Sequence, residues 1–232
     1  MSWVVVPAAG SGSRFGGDVP KQYLDLLGRT VIEHTLRAVL SHPGSSGAMV
    51  VLSADDRRWP GWRELAGKPV LTCIGGAERA DSVLAGLRAL PASVSADDWV
   101  LVHDAARPCL KAMDLTRLLA ALKTDPVGAL LAAPLRDTVK RADSQGRVEA
   151  TLPRGTLWRA LTPQAFRRGS LQRALEAAAR AGVAPTDEAM ALERLGLKPL
   201  LVEGAEDNIK LTTSADWAVA ESILRRMGDG RL

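Results

Sequence analysis

An α/β fold, built on a mostly parallel sheet with helices on both faces, is what the sequence predicts, and three observations predict it. Short apolar runs bounded by Gly, Pro or Asp alternate with stretches of near-helical periodicity. Gly-, Asp- and Arg-bearing motifs fall at the ends of the apolar runs. One turn-rich polar segment, residues 135–157, fits neither rhythm. Strands alternating with helices at this interval imply a Rossmann-like, doubly wound sheet with ligands at the carboxyl ends of its strands. The odd segment reads as a protruding β-hairpin arm.

The first strand is Trp3 to Val6, a β-branched run that stops at Pro7 and a small-residue loop. Residues 30–40 carry Val31, Ile32, Leu36, Val39 and Leu40 at helical spacing, and Ser41-His42-Pro43-Gly44 ends that helix. Residues 48–52, 70–74 and 99–102 are the next strands, with helices expected around residues 57–65 and 78–90. Residues 115–122 read as a helix and 128–133 as a strand. In the arm, residues 137–141 and 147–152 flank the turn tetrapeptide Asp143-Ser144-Gln145-Gly146. Helices over 170–181 and 187–195, a strand over 198–202 and a helix over 214–227 complete the chain, with Ser214 placed as the last helix's N-cap.

At 232 residues and 47% hydrophobic content the chain suits one domain, residues 1–232, with one sizeable core. A net charge of +4 is the excess of 30 Lys and Arg over 26 Asp and Glu, and the basic residues are scattered along the chain, so no clustered nucleic-acid footprint appears and small phosphate ligands suit it better. Neither a signal peptide nor an apolar run of about 18 residues is present, which argues against a membrane segment. Cys73 and Cys109 show no metal or disulfide spacing and fit a reduced, cytoplasmic setting.

The chemistry concentrates in the loop after the first strand, Pro7-Ala8-Ala9-Gly10-Ser11-Gly12-Ser13-Arg14, followed by Pro20-Lys21-Gln22. Gly10 and Gly12 let backbone amides approach a polyphosphate, and Arg14 and Lys21 add full charges. A dinucleotide loop needs its third glycine where Phe15 stands, and a Walker loop needs a Gly-Lys-Ser/Thr that is missing.

Gly75-Gly76-Ala77-Glu78-Arg79-Ala80-Asp81-Ser82 follows the third strand; Ser82 either faces a base or decorates the helix start. His103-Asp104-Ala105-Ala106-Arg107-Pro108 ends the fourth, where Asp104 suits a divalent cation and Arg107 a phosphate, or the two form a surface ion pair. Thr186-Asp187-Glu188-Ala189 is at least a helix start capped by Thr186, and Lys210 falls at the same sheet edge or is simply solvated. No Ser-His or Cys-His nucleophile arrangement is visible.

These motifs, with Glu78-Arg79-Ala80-Asp81-Ser82-Val83, Leu161-Thr162-Pro163-Gln164 and Asp207-Asn208-Ile209-Lys210, resemble the 2-C-methyl-D-erythritol 4-phosphate cytidylyltransferase family over nearly the whole chain. The resemblance implies a nucleotidyltransferase-type fold and transfer of CMP from CTP to the polyol phosphate. Mg²⁺ would be the cofactor, and Asp104 would lie in its region. Arg14, Lys21, Arg154 and Lys210 would be catalytic. Pro7, Ala8, Ala9, Gly10, Gly12, Gly76, Ser82, Asp104 and Ala105 would bind the nucleotide. Arg107, Thr138, Arg154, Thr162, Thr186 and Lys210 would bind the acceptor, with Thr138 and Arg154 reaching it from the partner of a homodimer through the 135–157 arm. Ala77 departs from the family's usual acid, and an end at Leu232 leaves no room for a fused cyclodiphosphate synthase domain. A ribitol 5-phosphate cytidylyltransferase and a non-catalytic nucleotide-binding dimer are the alternatives.

Overall fold

The computed structural model describes residues 2–10 and 19–228. The expected ligands Gly12 and Arg14 lie outside the described residues. An eight-stranded sheet forms the centre, in the order β12-β8-β11-β7-β1-β4-β6-β5. Its strands are β1 (Ser2–Pro7), β4 (Ser45–Leu52), β5 (Glu64–Leu65), β6 (Lys68–Ile74), β7 (Trp99–Val102), β8 (Gly128–Pro134), β11 (Trp158–Arg167) and β12 (Leu200–Glu203), while β2 (Asp25–Leu26) and β3 (Arg29–Thr30) form a small two-stranded sheet of their own. Pairing is parallel for β1 with β4 and β7, β4 with β6 and β8 with β12; β11 runs antiparallel to both β7 and β8. The chain grows outward from β1 to β4 and β6, then returns to place β7 on the other side of β1. That reversal of direction opens a crevice between the carboxyl ends of β1 and β7.

The core follows from the two-residue period of the strands. Val4 and Val6 of β1 face one layer, containing Ile32, Leu36 and Val39 of α1 (Val31–Leu40) and Leu115 and Leu118 of α3 (Ala112–Ala121). Val5 faces the other, with Val83 and Leu87 of α2 (Arg79–Ala89) and Leu171 and Leu175 of α4 (Arg168–Arg180). Each such fully buried aliphatic side chain contributes about 1.5–3 kcal/mol. The last helix, α6 (Ala215–Gly228), lays Ala220 and Ile223 on Leu26, Val31 and Leu211 as a third cluster.

The arm forms as its turn chemistry demands: β9 (Val139–Ala142) and β10 (Val148–Leu152) pair antiparallel with each other, apart from the main sheet. Asp143 Oδ1 accepts the amides of Gln145 and Arg147, each at 2.9 Å, and so closes the turn.

Two expectations fail locally. Residues 57–65 form no helix. Asp56 Oδ1 instead accepts the amides of Arg58 and Trp59 at 2.9 and 3.0 Å, a side-chain turn that competes with helix initiation, and Pro60 removes a donor just beyond it. The short helix α5 (Glu188–Glu193) is capped by Asp187, whose carboxylate accepts from Met190 N at 2.9 Å, and not by Thr186. A carboxylate is a strong acceptor at that position and takes it. The hydroxyl of Thr186 instead lies 3.5 Å from Met190 Sδ.

Candidate active site

A cleft of about 280 Å³ occupies the β1/β7 crevice. Pro7, Ala8, Ala9, Gly10, Lys21, Gly76, Ser82, Asp104, Ala105 and Lys210 all line it, so the fold brings together residues from five separate motifs. Arg107 and Thr162 sit beneath it. Thr138, Arg154 and Thr186 do not line it.

The loop after β1 is laced from behind by Gln22, a buried residue whose Nε2 donates to the carbonyls of Ala8 and Gly10 at 2.8 and 3.1 Å. Ala8 N is already spent on Val51 O at 2.8 Å. In the sequence Gln22 is only a neighbour of Lys21, because nothing local tells which carbonyls a side chain will reach. Lys21 follows Pro20 on a 3₁₀ turn, Lys21–Tyr23, and its Nζ donates to Leu211 O at 2.6 Å.

On the opposite wall the chain leaves β6 through Gly75 and Gly76. A Cβ on Gly75 would lie 2.6 Å from Ser82 Oγ, and one on Gly76 would collide with Asp81 Cβ. Glycines here let the strand end and the first turn of α2 close on each other, with Ser82 buried and its Oγ donating to Gly76 O at 3.4 Å. Asp81, not Ser82, serves the helix start, accepting from Glu78 N at 3.2 Å.

Asp104 is the electrostatic centre. Its Oδ1 meets Arg79 Nε at 3.1 Å, and its Oδ2 meets Arg107 Nε at 3.4 Å and Lys210 Nζ at 3.0 Å. Burial pushes its pKa up, but the charges of Arg79, Lys210 and Arg107 outweigh burial and hold it well below the usual carboxylate range. Arg79 also forks onto Glu188, at 2.6 and 3.1 Å. Glu188 is equally buried but has one cation, so burial wins and its pKa is raised. Arg107 donates to Asn208 O at 2.7 Å, and Asn208 Nδ2 donates to Thr162 O at 2.7 Å. Thr162 Oγ1 in turn accepts from Asp104 N at 3.1 Å.

His103 and Thr162 touch, Nδ1 to Oγ1 at 2.9 Å, but both are buried and neither lines the cleft, so the pair supports the loop and does not act as a base and nucleophile. Arg154 stands on a 3₁₀ turn, Arg154–Thr156, just after the second hairpin strand and donates to Arg136 O; Thr138 immediately precedes β9.

Among the described residues no three His, Cys, Asp or Glu side chains converge. With both Asp104 oxygens held by cations, the residues do not build a metal cage. Were a divalent ion to bind here, Asp104 would be a carboxylate at hand and a triphosphate's oxygens would have to complete its ligands.

A small-residue loop, flanking lysines and a buried anionic hub at the switch point of a doubly wound sheet define a nucleotidyltransferase. The match to a family model over residues 2–226 makes that specific: the chain belongs to the IspD family, 2-C-methyl-D-erythritol 4-phosphate cytidylyltransferase. A protein of that name from Stenotrophomonas maltophilia is 64% identical over 224 residues, 97% of each chain. One from Xanthomonas campestris pv. campestris is 62% identical over 98% of this chain and 86% of its own. The crystal structure of the Francisella tularensis protein of the same name is similar with a TM-score of 0.79 at 33% identity, covering 96% of this chain and 99% of that one.

Proposed function

We propose that this cytidylyltransferase moves CMP from CTP to 2-C-methyl-D-erythritol 4-phosphate and releases pyrophosphate, a step toward isoprenoid precursors. The observation that carries the reading is the cleft that joins the Ala8–Gly10 loop, Ser82, Lys21 and Lys210 around Asp104.

A phosphate monoester, with a second pKa of about 6, is already mostly dianionic at neutral pH, so it attacks the α-phosphorus of CTP without a general base. The bond from that phosphorus to the bridging oxygen breaks as the new one forms, and the electron pair leaves with pyrophosphate. The barrier lies in bringing two anions together and in the charge that develops on the phosphoryl oxygens. Lys21, Lys210 and Arg14 supply positive charge, while Arg107 holds Asp104 from beneath. Gly76 and Ser82 stand where the base would be read, and Asp104 and Ala105 where the ribose would lie. Mg²⁺, when bound to the triphosphate, neutralises charge between its phosphates.

The acceptor pocket is completed in this reading, from a second copy of the chain, by Thr138 and Arg154. Among the described residues the β9–β10 hairpin pairs with no strand of the main sheet, which supports a homodimer joined through the 135–157 segment. No helix among the described residues is long and apolar enough to cross a membrane. Free Cys73 and Cys109 suit a reducing compartment such as the cytoplasm.

Steady-state pyrophosphate release with CTP, comparing methylerythritol phosphate with ribitol 5-phosphate, tests the acceptor. We expect kcat/KM to favour methylerythritol phosphate by about 10² or more, because a pocket built to hydrogen-bond one polyol leaves groups unpaired with another. Equal or reversed preference would give the assignment to ribitol phosphate. No release with either would leave only a nucleotide-binding dimer.

A further inference from the structure

The three cations on Asp104 are not equivalent. Arg79 and Arg107 have side chains 27% and 11% exposed, and each is pinned from behind, Arg79 by Glu188 and Arg107 by Asn208 O. Lys210 is 41% exposed, lines the cleft, and rests on Asp104 Oδ2 at the end of a flexible four-carbon stem. Two clamps and one releasable counter-ion therefore share one carboxylate.

Glu188 sets this division. It is 1% exposed and does not line the cleft, so it touches no substrate. Gln164 holds the residues on both sides of it: Ala189 N donates to Gln164 Oε1 at 2.8 Å, and Gln164 Nε2 donates to the Asp187 side-chain Oδ2 at 2.9 Å. From that fixed point Glu188 takes both terminal nitrogens of Arg79 and leaves only Nε for Asp104 Oδ1. Without its charge, the guanidinium fork is free to turn and pair with both oxygens of Asp104, which is the geometry Arg prefers on a carboxylate. Lys210 would then lose its seat.

We propose that Glu188 is a positioning residue for cytidylyl transfer: by holding Arg79 to one oxygen of Asp104, it reserves the other for Lys210, which passes from there to the incoming phosphate. Arg79 and Arg107 stay behind to keep Asp104 charged and in place once Lys210 has left. The inference rests on the functional reading above and concerns residues that act 109 positions apart in sequence.

A double-substitution cycle tests it, with Glu188→Gln and Lys210→Ala scored by kcat/KM for pyrophosphate release and by the thermal midpoint as a check of folding. Glutamine keeps the shape and one acceptor but drops the charge. Glu188→Gln is expected to lower kcat/KM about tenfold alone and less than twofold on top of Lys210→Ala, the non-additivity of residues that act through one another. A full tenfold loss in both backgrounds, or no loss in the first, overturns the proposal. If Glu188→Gln does not fold, Arg79→Lys takes its place, since it keeps the charge and loses the fork; additivity with Lys210→Ala overturns the proposal there too. Wild-type protein that releases no pyrophosphate sinks the functional reading and this inference with it, whereas an active wild type with additive substitutions sinks the inference alone.

Discussion

His103 is fully buried between two partners, with Nε2 at 3.1 Å from Arg107 O and Nδ1 at 2.9 Å from Thr162 Oγ1. A carbonyl only accepts, so Nε2 carries the proton and Nδ1 accepts from the hydroxyl; the network assigns a neutral tautomer. Burial lowers the pKa to about 4; Asp104 opposes the shift and Arg107 adds to it. The folded pKa thus lies below the unfolded value of about 6.5, and between the two the unfolded chain binds more protons. Stability from this residue is present in full above about pH 6.5 and drains away toward pH 4, by up to about 3 kcal/mol. Glu188, with its raised pKa, contributes the opposite sign as pH falls, so the wild-type slope is a difference. Urea unfolding at several values from pH 7 to pH 4.5 should therefore show a steeper loss for wild type than for His103→Asn. Parallel curves would refute the buried neutral imidazole. The motif around His103 and the small residues Ala8–Gly10 that line the cleft were legible in the sequence because their pattern is local. The Arg79–Glu188 fork and the lacing by Gln22 were not, since both join residues whose proximity exists only after the sheet has assembled.

At the level of elements, local pattern read correctly where propensity and packing agree and failed where they part. The strand β1 and the helices α1 to α4 carry their period in plain view. β11 was hidden, apart from the motif at its centre, because Pro163 sits in a strand flanked on both sides, where a missing donor normally argues against a strand. The sheet accommodates it through a register shift between Ala160 and Gln164. Gly86 is the converse case. It lies inside α2, where propensity alone favours alanine by about 1 kcal/mol. Yet a Cβ there would lie 2.6 Å from Val5 Cγ1 and 2.8 Å from Val51 Cγ2, both on the buried face of the sheet. Close contact of α2 with β1 is what holds the Ser82 wall against the Ala8–Gly10 loop. Gly86→Ala is therefore expected to destabilise by about 1–3 kcal/mol, the usual cost of overpacking, measured by urea unfolding. A stabilised variant would mean that the helix has room to move away from the sheet.

Across the whole molecule, the two expected cations Lys21 and Arg154 differ in where they stand. Lys21 lines the cleft of its own chain, and Arg154 does not. Arg154 stands beyond the hairpin, on a turn whose residues are all exposed. If the arm carries it to the cleft of a partner, a complete site draws Lys21 from one chain and Arg154 from the other. Lys21→Ala and Arg154→Ala homodimers are then both crippled, each by about 10²–10³ in rate, the typical cost of a lost transition-state donor. Mixing them after subunit exchange changes the count. In a heterodimer, the cleft built on the Arg154→Ala chain keeps its own Lys21 and receives an intact Arg154 from the Lys21→Ala chain, while the other cleft lacks both. Half the dimers in an equal mixture are heterodimers with one good site of two, so activity should recover to about a quarter of wild type. If Arg154 acts within its own chain, or if the chain stays monomeric, every cleft in the mixture lacks one cation and the rate stays at the level of the separate variants. That comparison reads both the dimer and the direction of the arm in a single assay.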